Sequence, residues 1–242
     1  MRYRHSLASA VAAAAVSLFS GSFAAEPPPA VGIADRRLPV DVQRPPWNAI
    51  VKVLTNIASN CTGALIGPDT VMTAAHCLYN RRTRGFLQPG SLHVLLAYER
   101  GGYLWHAQVA RYVVGDGFDG TEPARRPASD WARLELAGTV PSAIEPLRLA
   151  RDLPVRGTEV ALPGYNQDRS HLLMADTSCH ITGVFVVHGE RLMTHDCSAT
   201  HGTSGGPLLA ERDNHWEVVG INIAVTPSGN LALPVMDLGE GR

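Results

Sequence analysis

Three short segments carry residue types that together can do covalent chemistry. Gly202-Thr203-Ser204-Gly205-Gly206-Pro207 sets one hydroxyl among residues with little or no side chain. A serine hydroxyl is a weak nucleophile until a base takes its proton and donors stabilise the oxyanion formed on the substrate. Small neighbours let a carbonyl approach the backbone, with the N–H groups of Gly202 and Ser204 as the donor pair. Standing alone, such a run reads equally well as a tight turn between strands. Thr73-Ala74-Ala75-His76-Cys77 offers a base, an imidazole on a compact turn just after an apolar stretch. Ser129-Asp130-Trp131-Ala132 offers a carboxylate at the head of an alternating segment. Such a carboxylate can accept a hydrogen bond from the far ring nitrogen of His76, which fixes the tautomer and stabilises the imidazolium. Asp116 and Asp119 compete for that role, but no strand pattern follows their Gly-rich loop.

Positioning such groups requires a rigid frame, and the frame reads as β. Short apolar, β-branched runs recur at 49–54, 63–66, 71–73, 92–97, 106–114, 131–136, 158–162, 180–187, 208–209 and 218–224. Each is bounded by Gly, Pro, Asn or Asp, and long helical periodicity is absent. This pattern predicts an all-β sandwich or barrels. The stretch from Gly138 to Gly157, with three prolines and no strand pattern, is the expected crossover between two lobes. No internal sequence repeat is evident.

The chain has 242 residues and a formal charge of −1, so nothing electrostatic favours a nucleic acid or an anionic membrane as partner. Arg2 and Arg4, the apolar stretch from Leu7 to Phe19, and small residues at Ser22 and Ala24 read as a signal peptide over 1–24. Residues 25–46 are Pro-rich and read as a propeptide or an N-terminal arm. Export makes an even number of cysteines a disulfide signal. The four cysteines allow three pairings, of which Cys61–Cys77 and Cys179–Cys197 are the local ones. Each local loop, about fifteen residues long, would contribute roughly 3 kcal/mol in the chain-entropy model. No CxxC pair and no HExxH spacing supports a metal site, despite ten histidines.

Together the three segments resemble the chymotrypsin/trypsin-like serine peptidases, whose chain order is also His, Asp, Ser. Cys61-Thr62-Gly63-Ala64-Leu65-Ile66 through His76-Cys77 is similar to the family's histidine segment, Asp130-Trp131-Ala132 to its aspartate segment, and Gly202–Pro207 to its serine segment. Gly164-Tyr165-Asn166-Gln167-Asp168-Arg169 and the Asp35-Arg36-Arg37-Leu38-Pro39-Val40 entry segment resemble the bacterial trypsin-like branch similar to glutamyl endopeptidases.

The resemblance implies two six-stranded antiparallel β-barrels of the chymotrypsin type with the active site in the cleft between them. The lobes would span 47–140 and 141–242, and 47–242 would form one peptidase domain. It implies a secreted serine endopeptidase, extracellular or periplasmic in a bacterium, working through His76, Asp130 and Ser204 with an oxyanion hole at Gly202 and Ser204. Ser198, Ala199 and His201 would line the substrate pocket, and Asn222, Ile223 and Ala224 its opposite wall and the edge that pairs with substrate. A protein or peptide would be the substrate, with no metal, cofactor, nucleic acid or membrane after signal cleavage, and the protein would act as a monomer. The same fold could instead carry a catalytically inactive binding protein, or a serine esterase.

Two departures from the family pattern stand out. Digestive-type members carry Asp immediately before the serine, where it pairs with the amine released by zymogen cleavage. Thr203 cannot form that pair, so the oxyanion hole is expected to be preformed. Trypsin-like specificity would want Asp at Ser198, and glutamyl endopeptidases usually carry Thr and His where Ala199 and Asn222 fall. Asp196, two residues before Ser198, could still reach into the pocket.

Overall fold

A computed structural model of the chain describes residues 35–56, 59–226 and 229–238. The signal peptide and residues 25–34 of the Pro-rich segment read from the sequence lie outside these residues. Twelve longer strands form two six-membered antiparallel rings. The first ring comprises β1 (Ile50–Thr55), β2 (Asn60–Gly67), β3 (Thr70–Thr73), β4 (Leu92–Leu96), β5 (Trp105–Val114) and β6 (Ala132–Leu136). They pair in the order β1-β2-β3-β6-β5-β4, and β4 returns to β1. The second ring comprises β7 (Glu159–Gly164), β8 (Met174–Val187), β9 (Glu190–His195), β10 (Pro207–Arg212), β11 (His215–Ala224) and β12 (Asn230–Pro234). Its order is β7-β8-β9-β12-β11-β10, closed where β10 meets β7 at Leu209 and Ala161. The two rings thus share one topology although no sequence repeat links them.

Alternation builds both interiors. In β5, Ala107 and Val109 point inward while His106, Gln108 and Ala110 face solvent. Ile50, Leu65, Leu92, Leu96 and Leu134 fill the first barrel with no exposed surface, and Leu162, Ile181, Leu192, Leu208 and Leu233 fill the second. Turn chemistry sets the hairpins. Asp213 and Asn214 both have positive φ (47° and 65°) between β10 and β11, as do His188 and Gly189 (51° and 84°) between β8 and β9. These are two-residue turns of the kind that match strand twist.

The crossover expected at Gly138–Gly157 contains only the two-residue strand Arg148–Leu149, which runs parallel to β11. The described part of the Pro-rich segment is not loose. Leu38–Pro39 pairs antiparallel with Met174 and Ala175 of β8, so the chain enters along the second lobe before crossing to build the first. Both local cysteine pairs form disulfides, Cys61–Cys77 and Cys179–Cys197.

Candidate active site

His76 sits on a single 3-10 turn, Ala75–Leu78, immediately after β3. Its backbone N–H donates to Asp130 Oδ1 at 2.8 Å and its ring Nδ1 lies 2.7 Å from Oδ2. A carboxylate can only accept, so the neutral ring carries its proton on Nδ1 and leaves Nε2 as a free lone pair. Asp130 is buried, on the exit of the Pro127–Ser129 turn just before β6. Of the competing acids, Asp119 accepts the Thr121 N–H and hydroxyl on its carboxylate, and neither Asp116 nor Asp119 is hydrogen-bonded to His76 among the described residues.

The serine segment is hung on the same strand that anchors the histidine. Thr62 of β2 donates its N–H to the Ser204 carbonyl (2.9 Å) and its hydroxyl to the Gly202 carbonyl (2.7 Å), and it accepts the Tyr165 N–H (3.0 Å). The preceding residue, Cys61, is bonded to Cys77 beside His76. One strand of the first lobe therefore holds both halves of the cleft. No hydrogen bond joins Ser204 Oγ to His76 among the described residues. Nucleophile–base contacts are commonly loose without substrate.

Around Ser204 the backbone needs glycine. Gly202 has φ of +95°, and a Cβ there would overlap the Tyr165 carbonyl oxygen. At Gly205, φ is +78° and a Cβ would overlap the Thr73 hydroxyl. The His201 carbonyl accepts the Gln167 N–H at 2.7 Å, which turns the Gly202 N–H to the opposite side of that peptide. The N–H groups of Gly202 and Ser204 have no hydrogen-bond partner among the described residues. Two unpaired donors on a largely buried turn form a ready site for a developing negative charge.

The residues expected to line a pocket lie in two segments. Ser198 and Ala199 are buried, His201 is exposed, Asn222 is fully buried, and Ile223 and Ala224 end β11. The Asn222 amide is engaged inside the protein. Its Nδ2 donates to the Thr203 carbonyl (3.3 Å) and its Oδ1 accepts from His195 Nε2 (3.1 Å). Pairing between β10 and β11 stops at Pro207 and Ile221, with two further bonds, from the Gly205 N–H to the Asn222 carbonyl and from the Asn222 N–H to the Gly206 carbonyl. Beyond them, Ile223 and Ala224 have no strand on that side among the described residues. Asp196 does not turn toward the pocket. It lies half-exposed, accepting the His180 N–H and facing Arg36.

Several site residues gave no sequence signal of their own. Asp176 is fully buried behind Ser198, accepting the Ser198 N–H at 2.7 Å and the Arg36 guanidinium at 3.0 Å. These donors hold its carboxyl below the ordinary carboxylate value although burial opposes them. Arg37, which the sequence places in the N-terminal entry segment with no role of its own, is buried beside Asn166, Asp168 and Thr200. His195 is entirely buried, and burial lowers it to about 4, so it is neutral near pH 7. The Cys61 and Cys77 sulfurs and a ring nitrogen of His76 lie within 4.8 Å of one another. Both sulfurs are spent in a disulfide, however, and cannot act as thiolate ligands.

A profile of the trypsin-like peptidase domain matches residues 61–221, a span that holds all three segments. The chain belongs to the trypsin-like peptidase family. It is similar to a glutamyl endopeptidase of Bacillus licheniformis, with 24% identity over 206 residues, 82% of this chain. The chain spans only about 60% of that relative's length. The solved structure of a Glu endopeptidase in complex with MPD matches with a TM-score of 0.70 at 21% identity, over 84% of this chain and 92% of that one. At that identity the likeness speaks for the fold, two barrels flanking one cleft.

Proposed function

We propose that the protein is an exported endopeptidase that works by acyl transfer from Ser204, acting as a monomer in an oxidising compartment. The observation that carries this reading is the double hydrogen bond from His76 to Asp130, set in a cleft with two unpaired backbone donors at Gly202 and Ser204. His76 Nε2 takes the Ser204 proton as Oγ bonds to the peptide carbonyl carbon, and the carbonyl electron pair moves onto oxygen. The two N–H groups hold that oxyanion. The tetrahedral species collapses, the C–N bond breaks, and the imidazolium gives its proton to the leaving amine. Water then attacks the acyl-enzyme by the same route, releasing the acid and restoring Ser204. Asp130 keeps the Nδ1 tautomer throughout and stabilises the imidazolium. No cofactor takes part. Because the base must be neutral, the rate falls as acid protonates it.

The substrate would lie extended along Ile223–Ala224 and add a strand there. Its side chain at the cleaved bond would enter between Ser198–His201 and Asn222–Ala224. Relatives carry the name glutamyl endopeptidase, but an acidic side chain needs a free cation or donor in the pocket. Here Ala199 is apolar, the Asn222 amide is engaged, His195 is neutral, and Arg36 is paired with Asp176. That set of walls favours an uncharged side chain. The test is digestion of an unfolded protein, with the new termini read by mass spectrometry beside Ser204→Ala. Internal cuts after uncharged residues that vanish in the variant are expected. Cuts clustered after glutamate would overturn the pocket reading, and cuts that persist in the variant would overturn Ser204.

A further inference from the structure

Digestive-type family members tie down the serine loop with an ion pair that Thr203 cannot make. The Thr203 hydroxyl instead donates to the Thr200 carbonyl at 2.6 Å, and the Thr203 N–H bonds the same oxygen at 3.3 Å. Thr200 itself is held from the other side. Its N–H donates to Asn166 Oδ1 at 3.0 Å and its hydroxyl lies 3.0 Å from Asp168 Oδ1. Both acceptors belong to one guanidinium. Arg37 Nη1 donates to Asn166 Oδ1 (2.6 Å) and Asp168 Oδ1 (2.9 Å), and Nη2 to Asp168 Oδ2 (2.8 Å). Its remaining edge is filled by Asp35, through Nε (2.8 Å) and Nη2 (2.9 Å). The Arg37 side chain is 1% exposed, and Arg169 on Asp35 brings the cluster to two cations and two carboxylates. A guanidinium fork matched on two edges fixes orientation as well as charge.

The placement matters because Gln167 lies between the two residues that Arg37 grips. The Gln167 N–H holds the His201 carbonyl, and this sets the direction of the Gly202 N–H. Arg37 therefore sits behind both supports of the oxyanion turn: the Gln167 bond to His201 and the Thr200 bonds to Thr203.

We propose that Arg37 is the positioning residue for the oxyanion hole, an internal cation in place of a cleavage-generated amine. This inference rests on the peptidase reading above and deepens it. It follows that the Asp35–Arg37 segment belongs to the working protein and that any processing ends before Asp35. The segment is a clamp that arrives with folding.

The experiment measures the rate of fluorophosphonate labelling, and kcat and KM on a peptide, for the full exported protein, Arg37→Ala, Arg37→Lys and Asp168→Asn. Each variant is first checked by thermal melting and assayed well below its melting temperature. Removing one oxyanion donor outright costs about 100- to 1,000-fold in kcat. Loosening the turn through Arg37→Ala is expected to cost roughly tenfold to a hundredfold in labelling rate and kcat, with KM nearly unchanged. Sub-denaturing guanidinium ion, but not urea or sodium chloride, should restore part of the rate, and Arg37→Lys should fall between. Folded Arg37→Ala labelled at the wild-type rate would overturn the inference. Should Arg37→Ala fail to fold, Asp168→Asn carries the same test, and wild-type labelling there would overturn it equally. Failure of the unmodified protein to label at all would instead count against the peptidase reading.

Discussion

Lowering the pH should destabilise this protein well above the range where carboxylates titrate, and His195 is the cause. The ring is entirely buried, its Nε2 donates to Asn222, and its Nδ1 has no partner among the described residues. Burial disfavours the imidazolium more than the Asn222 bond and the carboxylates of Asp196 and Asp176 favour it, and the group falls from 6.5 to about 4. The unfolded chain binds the proton from pH 6.5 downward, whereas the folded chain resists until about 4. Stability is therefore lost as pH falls through that window. The full shift corresponds to about 3 kcal/mol, of which roughly 2 kcal/mol is lost between about pH 7 and about pH 4.5. Urea unfolding at the two pH values, disulfides intact, measures it in the wild type and in His195→Gln, whose amide can still meet Asn222. The wild type should lose roughly 2 kcal/mol more than the variant over this interval. Equal losses in the two proteins would refute the argument.

The carboxylates define a separate, lower limb. Asp35, Asp168 and Asp176 are held below 3.8 by their donors, so their contribution is complete above that value and disappears as pH falls beneath it. A second unfolding step in acid titrations, shifted in Asp176→Asn, is expected. Replacing both Cys61 and Cys77 by Ala should cost about 3 kcal/mol in denaturant unfolding. It should also slow serine labelling more than the corresponding change at Cys179 and Cys197, because only the first bridge lies beside His76. Gly202→Ala should abolish labelling in a protein that still melts cooperatively, since a Cβ there meets the Tyr165 carbonyl. Lys52 crosses from β1 to the Ser170 carbonyl (2.5 Å) and lies 4.2 Å over the Tyr98 ring, between the lobes. Lys52→Met should cost about 1–3 kcal/mol, read as a shift in the urea midpoint.

The fold was legible where strands alternate and where turn residues bound them. Ile50–Thr55, Trp105–Val114 and His215–Ala224 fall close to the apolar runs visible in the sequence. Two strands of the second barrel gave no such sign. Glu190–His195 opens on two charged residues and buries the neighbours Leu192 and Met193 together, so period two is lost. Asn230–Pro234 is short and follows a Pro-Ser-Gly run that reads as a loop. Leu208–Leu209 grows to Pro207–Arg212 because Glu211 and Arg212 pair across the exposed Asp213-Asn214 hairpin, where no apolar face is needed.

The site shows the same division. The residues proposed for chemistry stand in recognisable local patterns, and Asp130 rather than Asp116 or Asp119 does meet His76. Their supports are scattered: Thr62, Asn166, Asp176 and Arg37 come from four distant segments, and burial converges them. A buried arginine looks like any surface arginine in a sequence. Only its two facing carboxylates, Asp35 and Asp168, distinguish it, and the second is remote in the chain.

The proposed chemistry requires Ser204 to be a nucleophile activated by His76. Intact mass of the purified protein after exposure to a serine-reactive fluorophosphonate tests it most directly, beside Ser204→Ala and His76→Ala. A single adduct is expected on the unmodified protein, mapped to Ser204 and absent from both variants. A folded, disulfide-bonded protein that takes up no reagent, or takes it up equally in Ser204→Ala, would contradict it.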